Sequence, residues 1–285
     1  MNIEDLRKAA AEVLRRNDRG TFTAPSPRQY PHLWLWDAGF AALGWAALED
    51  FERAYREIRA ALRGQWRNGM LPHVVFYGWP SAYFPGADIW RSDPAPEAPR
   101  DPPTSGITQP PVLASVAWIL FQRDPDRQRA EAFLREAFPA LRAYHRWLHA
   151  ARDPDGIGLS CIVHPWESGM DNSPLWDLPL SRVPTEGLPP YQRADAHWVP
   201  EEQRPRRSDY DRFLALILHL RSHQYGESGV RHSPFRVYDV LFNALRHRSE
   251  EALHAMARIL GEPTGEIEGW LERSRAAVSY THLTL

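Results

Sequence analysis

The apolar positions of the chain recur mostly at helical spacing. Residues 2–17 place Ile3, Leu6, Ala10, Val13 and Leu14 on one face, with Arg15 and Arg16 at the C-terminal end. A loop over 21–36 contains Pro25, Pro27 and Pro31, after which Asp37 stands as a predicted N-cap before AGFAALGWAALE. A helix over about 51–67 carries Phe51, Tyr55, Ile58 and Leu62 on one side. Further helices are predicted from Pro110-Pro111 to about Arg123 and over 126–150, with a bend at Pro139. Four more follow at about 208–224, 234–247, 249–260 and 263–278. The last carries Ile267, Trp270 and Leu271.

Strand alternation is confined to 71–77, within LPHVVFYGW. The pattern therefore predicts an all-α protein of about nine helices with two long irregular stretches, 68–108 and 152–207. No repeat of fixed period marks a helical solenoid. Structureless loops of this length in a compact domain are usually functional, and both are rich in Trp, Tyr, His and acids.

Composition adds exclusions. The 285 residues carry 34 basic and 36 acidic side chains and a formal charge of −2, with no block of like charge. Binding to nucleic acid or an anionic membrane surface is not expected. No apolar run approaches the ~18 residues of a spanning helix, and the N-terminal MNIEDLRKAAAEVLRR lacks an apolar signal core, which makes the cytoplasm the expected compartment. The single Cys161 rules out a disulfide framework or a multi-cysteine metal site. Dinucleotide, P-loop, HExxH and GxSxG signatures are missing, and no metal or cofactor is expected. His145 and His149 have chelating spacing on a helix, but no third ligand is evident and a surface pair is the simpler expectation.

Tryptophan is the informative excess. Several of the 12 stand in loops beside acids, at Trp36-Asp37, Trp90, Trp166-Glu167 and Trp176-Asp177. Indole faces stack on sugar C–H groups while carboxylates bind hydroxyls, so this pairing suits a sugar pocket.

Five segments are candidates. HPWESGMDNSPLWD, residues 164–177, offers a carboxylate held in a turn and flanked by Trp, the setting that raises a carboxyl pKa for acid catalysis. Asp171 or Ser173 could equally cap a helix beginning at Pro174. In YPHLWLWD, residues 30–37, Trp34 and Trp36 could be core and Asp37 a cap. Gly69–Pro85 contains His73, Tyr77 and Tyr83, and a lone His is more often structural. In TSGITQPP, Gln109 could bind a hydroxyl or satisfy loop backbone. QRPRRSDYD, residues 203–211, could hold a carboxylate or be a solvated turn.

Taken in order, YPHLWLWD, GMLPHVVF, TSGITQPP, HPWESGMDNSPLWD and QRPRRSDYDRF resemble family 63-type glycoside hydrolases, in particular the bacterial mannosylglycerate and glucosylglycerate hydrolases. The match runs from about residue 20 to 248. The resemblance implies an (α/α)6 toroid of twelve helices and an inverting mechanism, with Asp171 as general acid. It places sugar contacts on Tyr30, Trp34, Asp37, Gln109 and Trp166. His73, Tyr83, Arg204 and Tyr210 fall on the glycerate side. The implied partner is a small-molecule α-glycoside, with homo-oligomerisation left open. The alternatives are an α-glucosidase or oligosaccharide-trimming enzyme of the same fold, or a non-catalytic carbohydrate-binding helical protein.

In that family the general-base Glu lies well after the DNSP block. No later Glu of this chain has a suitable context: Glu262, Glu266, Glu268 and Glu272 belong to the last helix or its start. Residues 1–278 are therefore expected to be the N-terminal two-thirds of one domain, inactive without its base. The ending SYTHLTL, 279–285, resembles a translated sequencing adapter and is expected not to continue the last helix.

Overall fold

The computed structural model describes residues 2–283 apart from 79, 82 and 194–204, and side chains as far as 278. The order of elements is α1 (Ile3–Asn17), β1 (Leu33–Trp34), α2 (Leu35–Ala47), α3 (Phe51–Leu62), β2 (Val74–Val75), α4 (Ala87–Trp90), α5 (Leu113–Arg123), α6 (Arg127–Ala151), α7 (Asp177–Ser181), α8 (Arg207–Ser222), α9 (Glu227–Arg231), α10 (Val240–Leu260) and α11 (Gly265–Leu283). Two 3-10 turns, Pro165–Ser168 and Pro174–Trp176, precede α7.

Helical hairpins are the building unit. α2 packs on α3, α5 on α6 and α10 on α11. α2, α5 and α10 also lie side by side, so the hairpins form two helical layers. The small face of α2, with Ala38, Gly39 and Ala42, lets it approach α5 closely; a Cβ on Gly39 would lie 3.2 Å from Val112 and 3.3 Å from Val116. Within the second layer, Tyr55 of α3 stacks on Phe133 of α6 at 4.0 Å, both rings fully buried, and the Tyr55 hydroxyl donates to Asp124 at 2.7 Å.

Several predicted boundaries shift for identifiable reasons. Leu33–Trp34 pairs antiparallel with Val74–Val75, and Leu35 N–H then bonds His73 C=O at 3.0 Å. The strand thus runs directly into α2, which puts Asp37 inside its first turn; the N-cap is Trp34, with no side-chain cap. The helix expected at Pro110 starts at Leu113, and the one expected to reach 67 ends at Leu62. α6 continues through Pro139. The two helices expected over 234–247 and 249–260 are one, α10. Its Ser249 hydroxyl donates to Pro111 C=O, so this mid-helix Ser serves tertiary packing and does not break the helix. Residues before α10 are extended, with Val237 bridged to Ile162. The backbone of α11 is helical as far as Leu283, beyond the boundary expected at 278.

His145 and His149 are not on the surface. They lie on the face of α6 packed against α10, where His149 Nε2 meets the fully buried Glu250 carboxylate at 2.8 Å and His145 Nδ1 at 3.5 Å. Arg246 of α10 stands 3.4 Å from the same carboxylate. Burial pushes Glu250 up, but the hydrogen bonds from His145 and His149 and the charge of Arg246 bring it well below the usual range. Trp270 of α11 stacks on His149 at 5.1 Å. This cluster joins three helices. Among the described residues no helix is long and apolar enough to cross a membrane.

The ring stack between α3 and α6 is the simplest test of the packing. Phe133→Ala is expected to lower unfolding free energy by about 3–5 kcal/mol in urea denaturation. A loss under 1 kcal/mol would contradict the close packing of α3 on α6.

Candidate active site

Five stretches converge on one cavity of about 600 Å³: the loop and strand leading into α2, the β2 region and the loop after it, the segment before α5, the 164–173 turn, and Pro205 with the first turn of α8. Of the ten residues named above, nine line it: Tyr30, Trp34, Asp37, His73, Tyr83, Gln109, Trp166, Asp171 and Tyr210. Arg204 lies outside the described residues.

The aromatic wall is built by interlocking rings. Trp34 receives the edges of Tyr30 and Tyr83, both at 5.2 Å. His73 stacks on Trp166 at 5.9 Å with planes 20° apart. Trp166 in turn meets Tyr210 edge-on at 6.1 Å. Such contacts fix ring orientation as well as burying area. Tyr210 OH donates to Phe84 C=O at 3.3 Å.

Asp37 stands in the first turn of α2. Burial raises its carboxyl to about 6, opposed by hydrogen bonds from its own backbone N–H and the Trp36 side chain. The Gln109 Oε1 accepts Trp36 N–H at 3.2 Å, which leaves the amide NH₂ as its remaining polar group.

Asp171 occupies a tight turn held from both sides. Ser173 N–H and the Trp176 indole N–H both donate to Met170 C=O, at 3.0 and 2.7 Å. The helix-capping role falls to Ser173, whose hydroxyl accepts Leu175 N–H at 3.3 Å, so Asp171 is not the cap. The Asp171 side chain is exposed. Gly169 has φ of 72°, and a Cβ there would lie 2.3 Å from the Trp36 indole. A glycine is needed for both reasons, and its absence of side chain lets the start of α2 touch the Asp171 turn.

The other two acids of this segment have different surroundings. Asp177 is on the surface, 3.8 Å from Arg206. Glu167 is fully buried, outside the cavity lining, and is bound by both Nη atoms of Arg152, at 2.9 and 2.5 Å. Thr108 N–H and Val163 N–H donate to the same carboxylate, at 3.0 and 2.7 Å.

His164 is also locked. Its Nε2–H donates to Phe213 C=O at 3.1 Å, while Nδ1 accepts Trp166 N–H at 3.1 Å. Burial brings it down to about 3. Burial and the neighbouring His164 do the same to His73. Residues that sequence spacing did not single out also line the cavity, including Arg28, Ser81, Phe84 and Asn172. Only their adjacency to Tyr30, Tyr83 and Asp171 could have signalled them. Among the described residues no group of three His, Cys, Asp or Glu is placed to hold a metal ion.

Indole faces beside carboxylates in a cavity of this volume, set on helical hairpins, have the make-up of a helical carbohydrate-active site. The chain belongs to the mannosylglycerate hydrolase MGH1-like glycoside hydrolase family, whose model matches residues 30–282. It is 52% identical to a mannosylglycerate hydrolase of Thermus thermophilus over 94% of its own length and 64% of that protein's. It is 41% identical to a glucosylglycerate hydrolase of Mycolicibacterium hassiacum, covering 95% of this chain and 63% of the other. A crystal structure of the family 63 mannosylglycerate hydrolase of Thermus thermophilus, in complex with Tris and D-glycerate, superposes with a TM-score of 0.90 at 50% identity; 96% of this chain and 65% of that one are covered. The chain thus spans less than two-thirds of the length of these relatives.

The two neutral histidines give a pH dependence of known sign. Each has a folded pKa near 3 against about 6.5 unfolded, so between those values the unfolded chain binds more protons. Their contribution to stability is full above pH 6.5 and falls by up to ~1.4 kcal/mol per pH unit for each as the medium acidifies toward pH 3. Asp37, raised to about 6, acts in the opposite sense below that pH, but one group does not offset two. Unfolding free energy measured at pH 7 and pH 5 is expected to drop at pH 5. Equal values would contradict buried, neutral His73 and His164.

Proposed function

We propose that this chain is the N-terminal part of an inverting glycoside hydrolase for a small α-glycoside, glucosylglycerate or mannosylglycerate, which it splits into hexose and glycerate. The observation that carries this is the convergence of Asp37, Asp171 and the Trp34 and Trp166 indoles on one cavity. Its size suits a ligand of about two sugar units and not a long glycan.

In this mechanism Asp171 protonates the glycosidic oxygen, while a second carboxylate activates water on the opposite ring face. Asp37, titrating near 6, accepts hydrogen bonds from sugar hydroxyls, and the NH₂ of Gln109 donates to one. Trp34 and Trp166 stack on the ring's C–H faces. His73, Tyr83 and Tyr210, with Arg204, form the glycerate side; the relative crystallised with D-glycerate supports an aglycone of that kind.

Asp37 and Asp171 are the acids lining the cavity among the described residues. We place the general base, a Glu, in the part of the relatives that this chain does not span. The same part would close the two helical layers into an (α/α)6 toroid and cover Asp171.

The test is an assay of the chain extended to the length of its relatives. Hydrolysis of glucosylglycerate or mannosylglycerate is expected, with the β-hexose appearing first by NMR. Asp171→Asn in that protein is expected to lower kcat by about 10²-fold or more. The assignment fails if neither glycoside is cleaved, and Asp171 loses its role if the variant turns over near the wild-type rate.

A further inference from the structure

His73 lines the cavity with a single imidazole proton to place. Burial keeps the ring uncharged near neutral pH, so one of its nitrogens is a donor and the other an acceptor. Which is which decides what this part of the wall offers a ligand. Nδ1 stands 3.3 Å from the hydroxyl of Ser105. Nε2 has no hydrogen-bond partner among the described residues, yet it is not sealed from solvent. Since His73 lines the cavity, Nε2 is its open polar atom there.

Ser105 is held rigidly. Its N–H donates to Val74 C=O at 3.0 Å, and its hydroxyl oxygen accepts Val74 N–H at 3.0 Å. Next to these bonds, His73 N–H donates to Ile107 C=O at 2.7 Å. On one side of Ser105, Thr104 bridges Val75 and accepts the Trp66 indole N–H at 2.9 Å. On the other side, a Cβ on Gly106 would lie 2.2 Å from the Tyr225 ring, so that ring presses directly on the turn. The imidazole is confined as well, stacked on Trp166 and 6.1 Å from the Trp90 ring. Both groups are buried, which leaves little room for either to swing to another partner.

The Ser105 hydroxyl has one proton and two acceptors within reach. His73 Nδ1 lies at 3.3 Å. The Ile107 C=O lies at 3.5 Å and already takes the His73 N–H. Hydrogen bonds weaken with distance, and the longer separation is well outside the usual O–H···O range. If the hydroxyl turned to Ile107, its oxygen would have to accept two N–H groups, from Val74 and from His73 Nδ1, while its own proton made the longer bond. The nearer and unoccupied acceptor is Nδ1.

We propose that Ser105 is a positioning residue for His73: its hydroxyl donates to Nδ1, fixes the imidazole as the Nε2–H tautomer and makes the cavity-facing nitrogen a donor. His164 beside it is held in the same tautomer by backbone groups at both nitrogens. A ligand placed against His73 must then present an oxygen lone pair at that point, and a group that can only donate is refused. For the glycoside proposed above, a consequence that rests on that reading, the neutral N–H selects an accepting oxygen of the aglycone.

The first measurement needs no variant. In this chain, isotope-labelled at the histidine nitrogens and with the His73 signals assigned by their loss in His73→Gln, long-range proton–nitrogen NMR is expected to show an unprotonated Nδ1 and a protonated Nε2. A protonated Nδ1, or averaged shifts at both nitrogens, overturns the proposal. Ser105→Ala, checked for fold by circular dichroism, should mix the tautomers and weaken calorimetric affinity for a hexosylglycerate by roughly tenfold, the scale of one hydrogen bond with its partner left unpaired. Ser105→Thr, which keeps the hydroxyl, should retain the Nε2–H signature and most of the affinity. A pure Nε2–H signature in Ser105→Ala would mean that the hydroxyl does not set the tautomer, and the role of Ser105 falls. If the wild type shows the Nε2–H tautomer but binds no hexosylglycerate, the tautomer assignment stands and the glycoside reading fails instead.

Discussion

A buried carboxylate surrounded by four donors determines where the parts of this cavity meet. Glu167 takes two N–H bonds from Arg152 at the end of α6, one from Thr108 before α5 and one from Val163 at the head of its own turn. Removing a charged pair from water is costly, and only complete hydrogen bonding offsets it. Here each carboxylate oxygen accepts one Arg152 N–H and one backbone N–H. The arrangement is consequently unforgiving: Thr108 adjoins Gln109, and Glu167 adjoins Trp166 and the Asp171 turn. One ion pair therefore sets the spacing between the Gln109 amide proposed to bind a sugar hydroxyl and the turn that carries Asp171.

The remaining contacts extend that anchor outward. The short β1–β2 pair runs Trp34 straight into α2 and so delivers Asp37 beside it. The Trp36 indole against Gly169 joins α2 to the Asp171 turn, and Trp36 N–H on Gln109 joins it to the segment before α5. The double layer of hairpins supplies the rigid floor for these loops. Precise positioning of polar groups by packed neighbours is what a site of this kind requires.

Helical spacing made most of the helices legible, because the apolar stripes of α3, α6 and α11 are set by local periodicity. Capping chemistry misled at Asp37, since a strand formed from residues 40 positions away decides where α2 begins. The two helices expected at 234–247 and 249–260 are one, with Ser249 in a tertiary contact. His145 and His149 looked like a surface pair, because their partners Arg246 and Glu250 lie about a hundred residues on. Motif order pointed to nine residues that share the cavity, but spacing could not separate the three acids of 164–177. Burial assigns Glu167 to the scaffold and leaves Asp171 in the lining. Arg28 carried no signal beyond its proximity to Tyr30.

The measurement that bears most directly on this account is hydrogen exchange of the Thr108 and Val163 amides in Glu167→Gln, alongside calorimetric affinity for a hexosylglycerate. The amide side chain keeps only one accepting oxygen, so at least one of the two N–H groups should lose protection, stability should fall by about 3–5 kcal/mol and sugar affinity should drop. Unchanged protection at both amides with wild-type affinity would contradict the claim that this ion pair assembles the cavity.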